Sequence, residues 1–201
     1  TAGTFYYYVV ISFTGNGCGT VTSDVANVVV LPDPIVSAQP LATQTLCQNE
    51  TATNLSVTAT GGTGTFNYQW YSSTTATTTG GNAVGTNSPI FTPPTTTVGT
   101  LYYYCVITQT GNGCAVTSNS AAVIVNTSPT IANQPISSTV CQNGTPTTLS
   151  YTYNNGVGTP TYQWYSNTTN SNTGGSLIPN ETSSTFNPPS NTIGTFYYYG
   201  I

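Results

Sequence analysis

Gly99-Thr100-Leu101-Tyr102-Tyr103-Tyr104-Cys105 decides the fold, because the stretch occurs three times. It returns as Gly3-Thr4-Phe5-Tyr6-Tyr7-Tyr8-Val9 and as Gly194-Thr195-Phe196-Tyr197-Tyr198-Tyr199-Gly200. Aromatic runs of this kind suit a pleated, half-buried strand. Other motifs return at the same spacing. Tyr-Gln-Trp-Tyr-Ser occupies 68–72 and 162–166, Cys-Gln-Asn 47–49 and 141–143, and Gly-Asn-Gly-Cys 15–18 and 111–114. The period is about 95 residues, the size of a whole domain rather than of a short solenoid repeat.

The period sets the boundaries. Residues 1–31 hold the last two strands of a first repeat, 32–126 a complete repeat, and 127–201 a third that stops within its penultimate strand. The joints, Leu31-Pro32-Asp33-Pro34 and Asn126-Thr127-Ser128-Pro129, are short, and proline makes them stiff. The chain shows no secretory leader and no apolar run of about 20 residues. It opens and closes inside repeat units, which suits an internal piece of a longer protein.

Period-2 alternation places the strands of the complete repeat. They run over Ile35 to Ala38 and Thr43 to Cys47, Thr53 to Thr60, Phe66 to Ser72, Ile90 to Thr92, Thr100 to Gln109 and Ala115 to Val125. Leu55, Val57 and Ala59 share one face, Tyr68 and Trp70 another, and Ala121, Val123 and Val125 a third. Gly111-Asn112-Gly113 reads as a hairpin turn, since Asn-Gly favours the left-handed turn that hairpins need. No segment carries a 3.6-residue period. The expected core is Val57, Trp70, Tyr103, Ile107 and Val123, with Trp164 and Tyr198 in the third repeat.

Composition excludes several functions. The chain has no Lys, Arg or His and only four acidic residues, and 2% of it is charged. With 37% apolar residues, including 15 Tyr, it is not of the disordered type. Nothing can neutralise phosphates, so nucleic acid is not an expected partner. The same lack argues against an anionic membrane surface. The usual general bases and Schiff-base amines are missing. Asp24, Asp33, Glu50 and Glu181 stand far apart in sequence. No enzyme, cofactor or metal site is expected, and no membrane insertion.

The spacing of Val57, Trp70 and Cys105, with Tyr103 two residues before the cysteine, resembles an immunoglobulin domain. In that template a tryptophan on strand C packs against the contact between strands B and F. The motif order is Leu-Cys-Gln-Asn, Leu-Ser-Val, Tyr-Gln-Trp-Tyr, Gly-Thr-Leu-Tyr-Tyr-Tyr-Cys, Gly-Asn-Gly-Cys and Thr-Ser-Asn. It is similar to the bacterial immunoglobulin-like repeats of giant secreted surface proteins of Bacteroidota, including gliding-motility adhesins. The likeness covers the whole chain. It implies an all-β fold of tandem immunoglobulin-like sandwiches and a place outside the cell, at a bacterial surface. One departure stands out. Val57 occupies the strand-B cysteine position, so the usual B–F disulfide cannot form, and the strand-F position is Val9 and Gly200 in the other repeats.

Cys105 is then a buried thiol acting as a small hydrophobe. Cys18, Cys47, Cys114 and Cys141 recur, which suggests disulfides in an extracellular setting. On the immunoglobulin template Cys47 and Cys114 lie at opposite ends of the sandwich. The favoured pairing therefore joins the cysteine before strand B of one repeat to the F–G cysteine of the next. A Cys47–Cys114 bond within one repeat is the runner-up. With Tyr103 inward, Tyr71, Tyr102 and Tyr104, and Tyr165 in the third repeat, face outward. They form either a stacking platform for polysaccharide or ordinary cross-strand pairs. The expected function is a stalk or filament segment of a surface adhesin, with neighbouring repeats as its partners. A glycan-binding module, with surface polysaccharide as partner, and a self-assembling fibre that docks other filaments are the alternatives.

Overall fold

A computed structural model of the chain describes residues 1–15, 19–110 and 114–201. The expected turn at Gly111-Asn112-Gly113, and Cys18, lie outside the described residues. Every regular element among the described residues is a β-strand. The chain divides into two compact units, Thr1–Val125 and Asn126–Ile201.

The first unit opens with β1 (Gly3–Tyr7), β2 (Val10–Ile11), β3 (Val21–Thr22) and β4 (Ala26–Val30). β1 pairs antiparallel with β4, and β2 with β3. All four strands are exposed along their whole length.

Next come β5 (Pro34–Ala38), β6 (Thr43–Cys47), β7 (Leu55–Ser56), β8 (Thr58–Gly61), β9 (Phe66–Ser73), β10 (Asn82–Val84) and β11 (Ile90–Phe91). They are followed by β12 (Gly99–Gln109), β13 (Ala115–Thr117) and β14 (Ala121–Asn126). One sheet has the order β10-β9-β12-β14-β6, with β13 also paired to β12. The facing layer is the pairs β5–β8 and β7–β11. The strand expected over Thr53 to Thr60 is thus split at Val57, each half finding a different partner. The strand expected over Ala115 to Val125 is likewise split, and Ser118 and Gln39 account for the break. The Ser118 hydroxyl accepts the Cys105 N–H at 2.9 Å, and Gln39 accepts the Asn119 N–H at 2.7 Å.

Between the layers lie Leu55, Val57, Trp70, Tyr103, Cys105, Ile107, Ala121, Val123 and Val125. β14 shows why sequence predicts this layer well: its residues alternate between buried and half-buried along the strand, the period-2 signature of a sheet with one covered face. This is an immunoglobulin-like β-sandwich.

The second unit repeats the plan with β15 (Thr130–Asn133), β16 (Leu149–Ser150), β17 (Thr152–Asn154), β18 (Trp164–Asn167), β19 (Ser176–Leu177), β20 (Thr185–Phe186) and β21 (Tyr197–Gly200). The sheet β19-β18-β21 faces the pairs β15–β17 and β16–β20. Leu149, Tyr151, Trp164 and Phe186 form its core, with Tyr198 packed against them half-buried.

Candidate functional site

Among the described residues, the recurring Tyr-Gln-Trp-Tyr, tyrosine-strand and Cys-Gln-Asn motifs build specific local structures, and these make up the candidate site. In Tyr-Gln-Trp-Tyr, the tryptophan is fully buried in both units. Trp70 Nε1 donates to the Ser88 carbonyl at 3.0 Å, and Trp164 Nε1 to the Ser183 carbonyl at 2.8 Å. Burying an indole is favourable only when its N–H finds an acceptor. The neighbouring glutamine ties two strands together. Gln69 Nε2 donates to the carbonyls of Trp70 and Val84, and Gln163 Nε2 to those of Trp164 and Ile178. A phenylalanine completes each core. Phe91 lies 5.8 Å from Trp70 and 5.3 Å from Tyr103 between ring centres, and Phe186 5.6 Å from Trp164 and 5.2 Å from Tyr198. Sequence reading passed over these phenylalanines. The signal was their shared place before Pro93-Pro94 and Pro188-Pro189.

The outer tyrosines require a correction. Tyr104 lies on the outer face of the sheet, as alternation demands, but it is only 2% exposed. The segment after β9 folds back over it, and the Gly81 N–H donates to its hydroxyl at 3.0 Å. Tyr71 stacks on Tyr104 with ring centres 5.3 Å apart and planes at 12°. The second unit repeats the clasp: Tyr165 stacks on Tyr199 at 5.2 Å and 8°, and the Gly175 N–H donates to the Tyr199 hydroxyl at 3.2 Å. Tyr71, Tyr102 and Tyr165 are half-buried. The stacking face expected for Tyr71 and Tyr104 is therefore occupied by the chain itself.

The Gly-Gly pair makes that approach possible. A Cβ at Gly81 would stand 2.8 Å from the Ser72 carbonyl oxygen and 3.1 Å from the Tyr104 ring. Gly81→Ala is expected to cost about 2 kcal/mol by overpacking, while Tyr104→Phe, losing one hydrogen bond, costs about 1 kcal/mol. Urea titration of both variants checks the order. Equal or negligible losses would show that the segment does not depend on the tyrosine.

The Cys-Gln-Asn turns are also copies. Asn49 and Asn143 adopt left-handed backbone, φ 69 and 63, which asparagine tolerates better than other side-chain-bearing residues. The Asn49 N–H donates to the Thr95 carbonyl at 3.0 Å and Gln48 Nε2 to the Thr96 carbonyl at 2.6 Å. The matching bonds run from Asn143 to Ser190 at 2.9 Å and from Gln142 to Asn191 at 2.9 Å. Glu50 is used here too, its carboxylate accepting the Cys47 N–H at 2.8 Å.

These bonds place Cys47 at the end of the sheet where β12 begins. Cys114 sits at the other end, its carbonyl accepting the Gln109 N–H at 2.9 Å. The eleven residues of β12, roughly 35 Å of strand, lie between these two ends, against the 7 Å or so between Cα atoms that a disulfide allows. Cys47 and Cys114 are accordingly not bonded to each other in this structure. No disulfide joins Cys47, Cys105, Cys114 and Cys141 to one another. Cys105 is fully buried beside Trp70, and burial pushes its thiol up to about 12. Val57, Ile107 and Val123 are buried in the same core. Among the described residues no His, Cys, Asp and Glu cluster could hold a metal ion, and no helix is long and apolar enough to cross a membrane.

A family model described as a domain of unknown function (DUF8696) matches residues 36–127, the complete sandwich. No curated protein matches the chain. Among solved structures it is similar to an I-band fragment from titin, at 14% identity over 99% of this chain and 69% of that one, with a TM-score of 0.47. It is similar to the Sidekick-1 immunoglobulin domains 1–4 at 20% identity, over 82% of this chain and 44% of that one, TM-score 0.43. Extracellular domains 3–5 of Drosophila OTK align at 18% identity, over 90% of this chain and 56% of that one, TM-score 0.44. The chain thus spans about half the length of the Sidekick-1 and OTK structures.

Proposed function

We propose that the chain is a non-catalytic, structural segment of an extracellular adhesion-type filament, a stalk of serial immunoglobulin-like sandwiches. One observation carries the reading: the distinctive residues of the repeat are spent on holding strands and loops together, and both units spend them identically. The tryptophan, glutamine and tyrosine of Tyr-Gln-Trp-Tyr fix the core, the sheet and the loop that covers it. The Cys-Gln-Asn turn is tied down at one end of each sandwich. The near absence of charge and the short proline-bearing joints suit the same role, as does the resemblance of the motif order to repeats of Bacteroidota surface adhesins. Cysteines held at opposite ends of a sandwich suit bonds between neighbouring repeats along the filament. Such bonds would transmit tension past the joints.

Pulling the chain by its ends in an atomic-force experiment tests the proposal. The complete sandwich is expected to unfold in one resolved event, lengthening the chain by about 300 Å at roughly 3.5 Å per residue. Extension without a resolved event would remove the stalk reading. Mass spectrometry of unreduced native protein reads the cysteine pairing, and a Cys47–Cys114 peptide within one chain would refute the neighbour-to-neighbour scheme.

A further inference from the structure

Gln109 closes β12 with its side chain turned into the sandwich, on the face that carries Cys105 and Ile107. It is 3% exposed, and neither its amide nitrogen nor its carbonyl oxygen has a hydrogen-bond partner among the described residues. Burying an uncharged polar group is cheap only when the group is paired. The other glutamines of the complete sandwich, Gln39, Gln44, Gln48 and Gln69, are each hydrogen-bonded. The recurring strand does not require glutamine at this place either, since the first repeat carries Phe13 at the matching position.

The connection from β8 to β9, residues 62–65, covers the carboxamide. Gly62 lies directly on it: a Cβ there would collide with the Gln109 carboxamide. The backbone is left-handed at Gly62, φ 67, and at Gly64, φ 93, conformations that glycine takes without strain. The bonds that close this end lie at the surface. The Thr110 N–H donates to the Thr65 carbonyl at 3.0 Å, and the Thr65 N–H to the Thr110 Oγ1 at 3.2 Å. Both threonines are exposed, so water replaces these bonds at little cost. The apolar stem of Gln109 and its half-buried cross-strand neighbour Phe66 favour closure. The dry, unpaired amide opposes it.

We propose that residues 62–65 form a lid that opens over Gln109 while the sandwich beneath stays folded. Hydration of the carboxamide drives the opening, and Gly62 and Gly64 supply the backbone freedom for it. Trp70, Cys105 and Ile107 remain packed below, because their contacts lie within the core and not with the lid. Local openings of low free energy arise where apolar contacts are few and backbone bonds are exposed, and this end of the sandwich has both properties. The lid continues from Gly61, which pairs with Pro34 of the joint. This end therefore yields beside the joint without loss of the core. The device rests on the geometry around Gln109 and not on the stalk reading. It is read without load, so its failure leaves that reading standing.

Hydrogen exchange of the full chain, followed residue by residue by NMR, tests the lid. The Thr110 amide is the reporter, because its bond crosses from β12's end to the lid. The Cys105 amide, bound to the Ser118 hydroxyl, reports the sandwich beneath. Thr110 is expected to exchange much faster than Cys105. Gln109→Met keeps the shape and removes the unpaired atoms, so it should slow Thr110 about tenfold. Gln109→Glu keeps the shape and adds a charge that cannot stay dry. It should speed Thr110 at neutral pH while Cys105 stays protected. Equal rates at Thr110 and Cys105 in the parent would overturn the proposal, since this end would then open only with the whole sandwich. So would a Thr110 rate that Gln109→Met leaves unchanged or raises, which would mean that the carboxamide is already satisfied when the lid is shut. A Gln109→Glu chain that exchanges Thr110 no faster than the parent would overturn it independently.

Discussion

Gly200→Cys is expected to destabilise the second unit by about 3 kcal/mol, although cysteine is what the complete repeat carries at that position. The reason lies across the sandwich. The complete repeat sets Val57 of one layer against Cys105 of the other, both buried in the same core. The second unit sets Tyr151 against Gly200. A Cβ at Gly200 would collide with the Tyr151 ring and stand 2.7 Å from its hydroxyl. Tyr151 cannot swing aside, because Tyr162 and Trp164 lie 5.9 and 5.2 Å from it between ring centres. The two pairs are alternative fillings of one space, medium with small and large with none. Tyr151→Val alone should also destabilise, by about 3 kcal/mol, through the cavity left beside Trp164. The double variant recreates the pair of the complete repeat and should recover most of both losses. Chemical denaturation of the four proteins gives the coupling energy directly. Simple additivity of the two losses would show that the positions are filled independently.

The same pair shows how far the sequence could be read. The sandwich was legible because β14 alternates cleanly and because Trp70 and Tyr103 stand at immunoglobulin spacing. The loss of the B–F disulfide was legible from Val57. The compensation between Tyr151 and Gly200 was present in the sequence, but it needs the knowledge that these two residues touch, which only the register of the layers supplies. The outward tyrosines were read correctly as to direction and wrongly as to exposure. Direction follows from the period of the strand, whereas exposure depends on the loop that returns over it. The Gly80-Gly81 and Gly174-Gly175 pairs were the available clue: two adjacent glycines before an edge strand mark a close backbone approach.

Raising the pH from neutral to about 11 is expected to weaken the complete sandwich progressively, with the loss beginning near 9. Composition makes this transition unusually clean. The chain has no Lys, Arg or His, so above neutrality only thiols, tyrosine hydroxyls and the terminal amine can release protons. Cys105 has the largest stake among them. Burial pushes its thiol from an ordinary 9.0 up to about 12, outweighing a hydrogen bond from the Gln69 backbone that acts the other way. Below pH 9 the thiol is protonated in both folded and unfolded chains, and its full contribution to stability is present. Between 9 and about 12 the unfolded chain gives up a proton that the folded chain retains, and each step in pH favours unfolding. Burial raises Tyr103 in the same core above its ordinary 10.0, so its loss adds to that of Cys105 at higher pH. Cys105→Ala separates the two. The variant begins less stable, because it leaves a small void, but between pH 9 and 10 its urea midpoint should hold while that of the parent falls. The second unit, with Gly200 at this position, should be as flat as the variant over that interval. A parent midpoint that does not move between pH 8 and 10 would mean that the thiol reaches solvent while the sandwich is still folded. The tight layer of Trp70, Val57 and Tyr103 around Cys105 would then have to open on a far smaller scale than global unfolding.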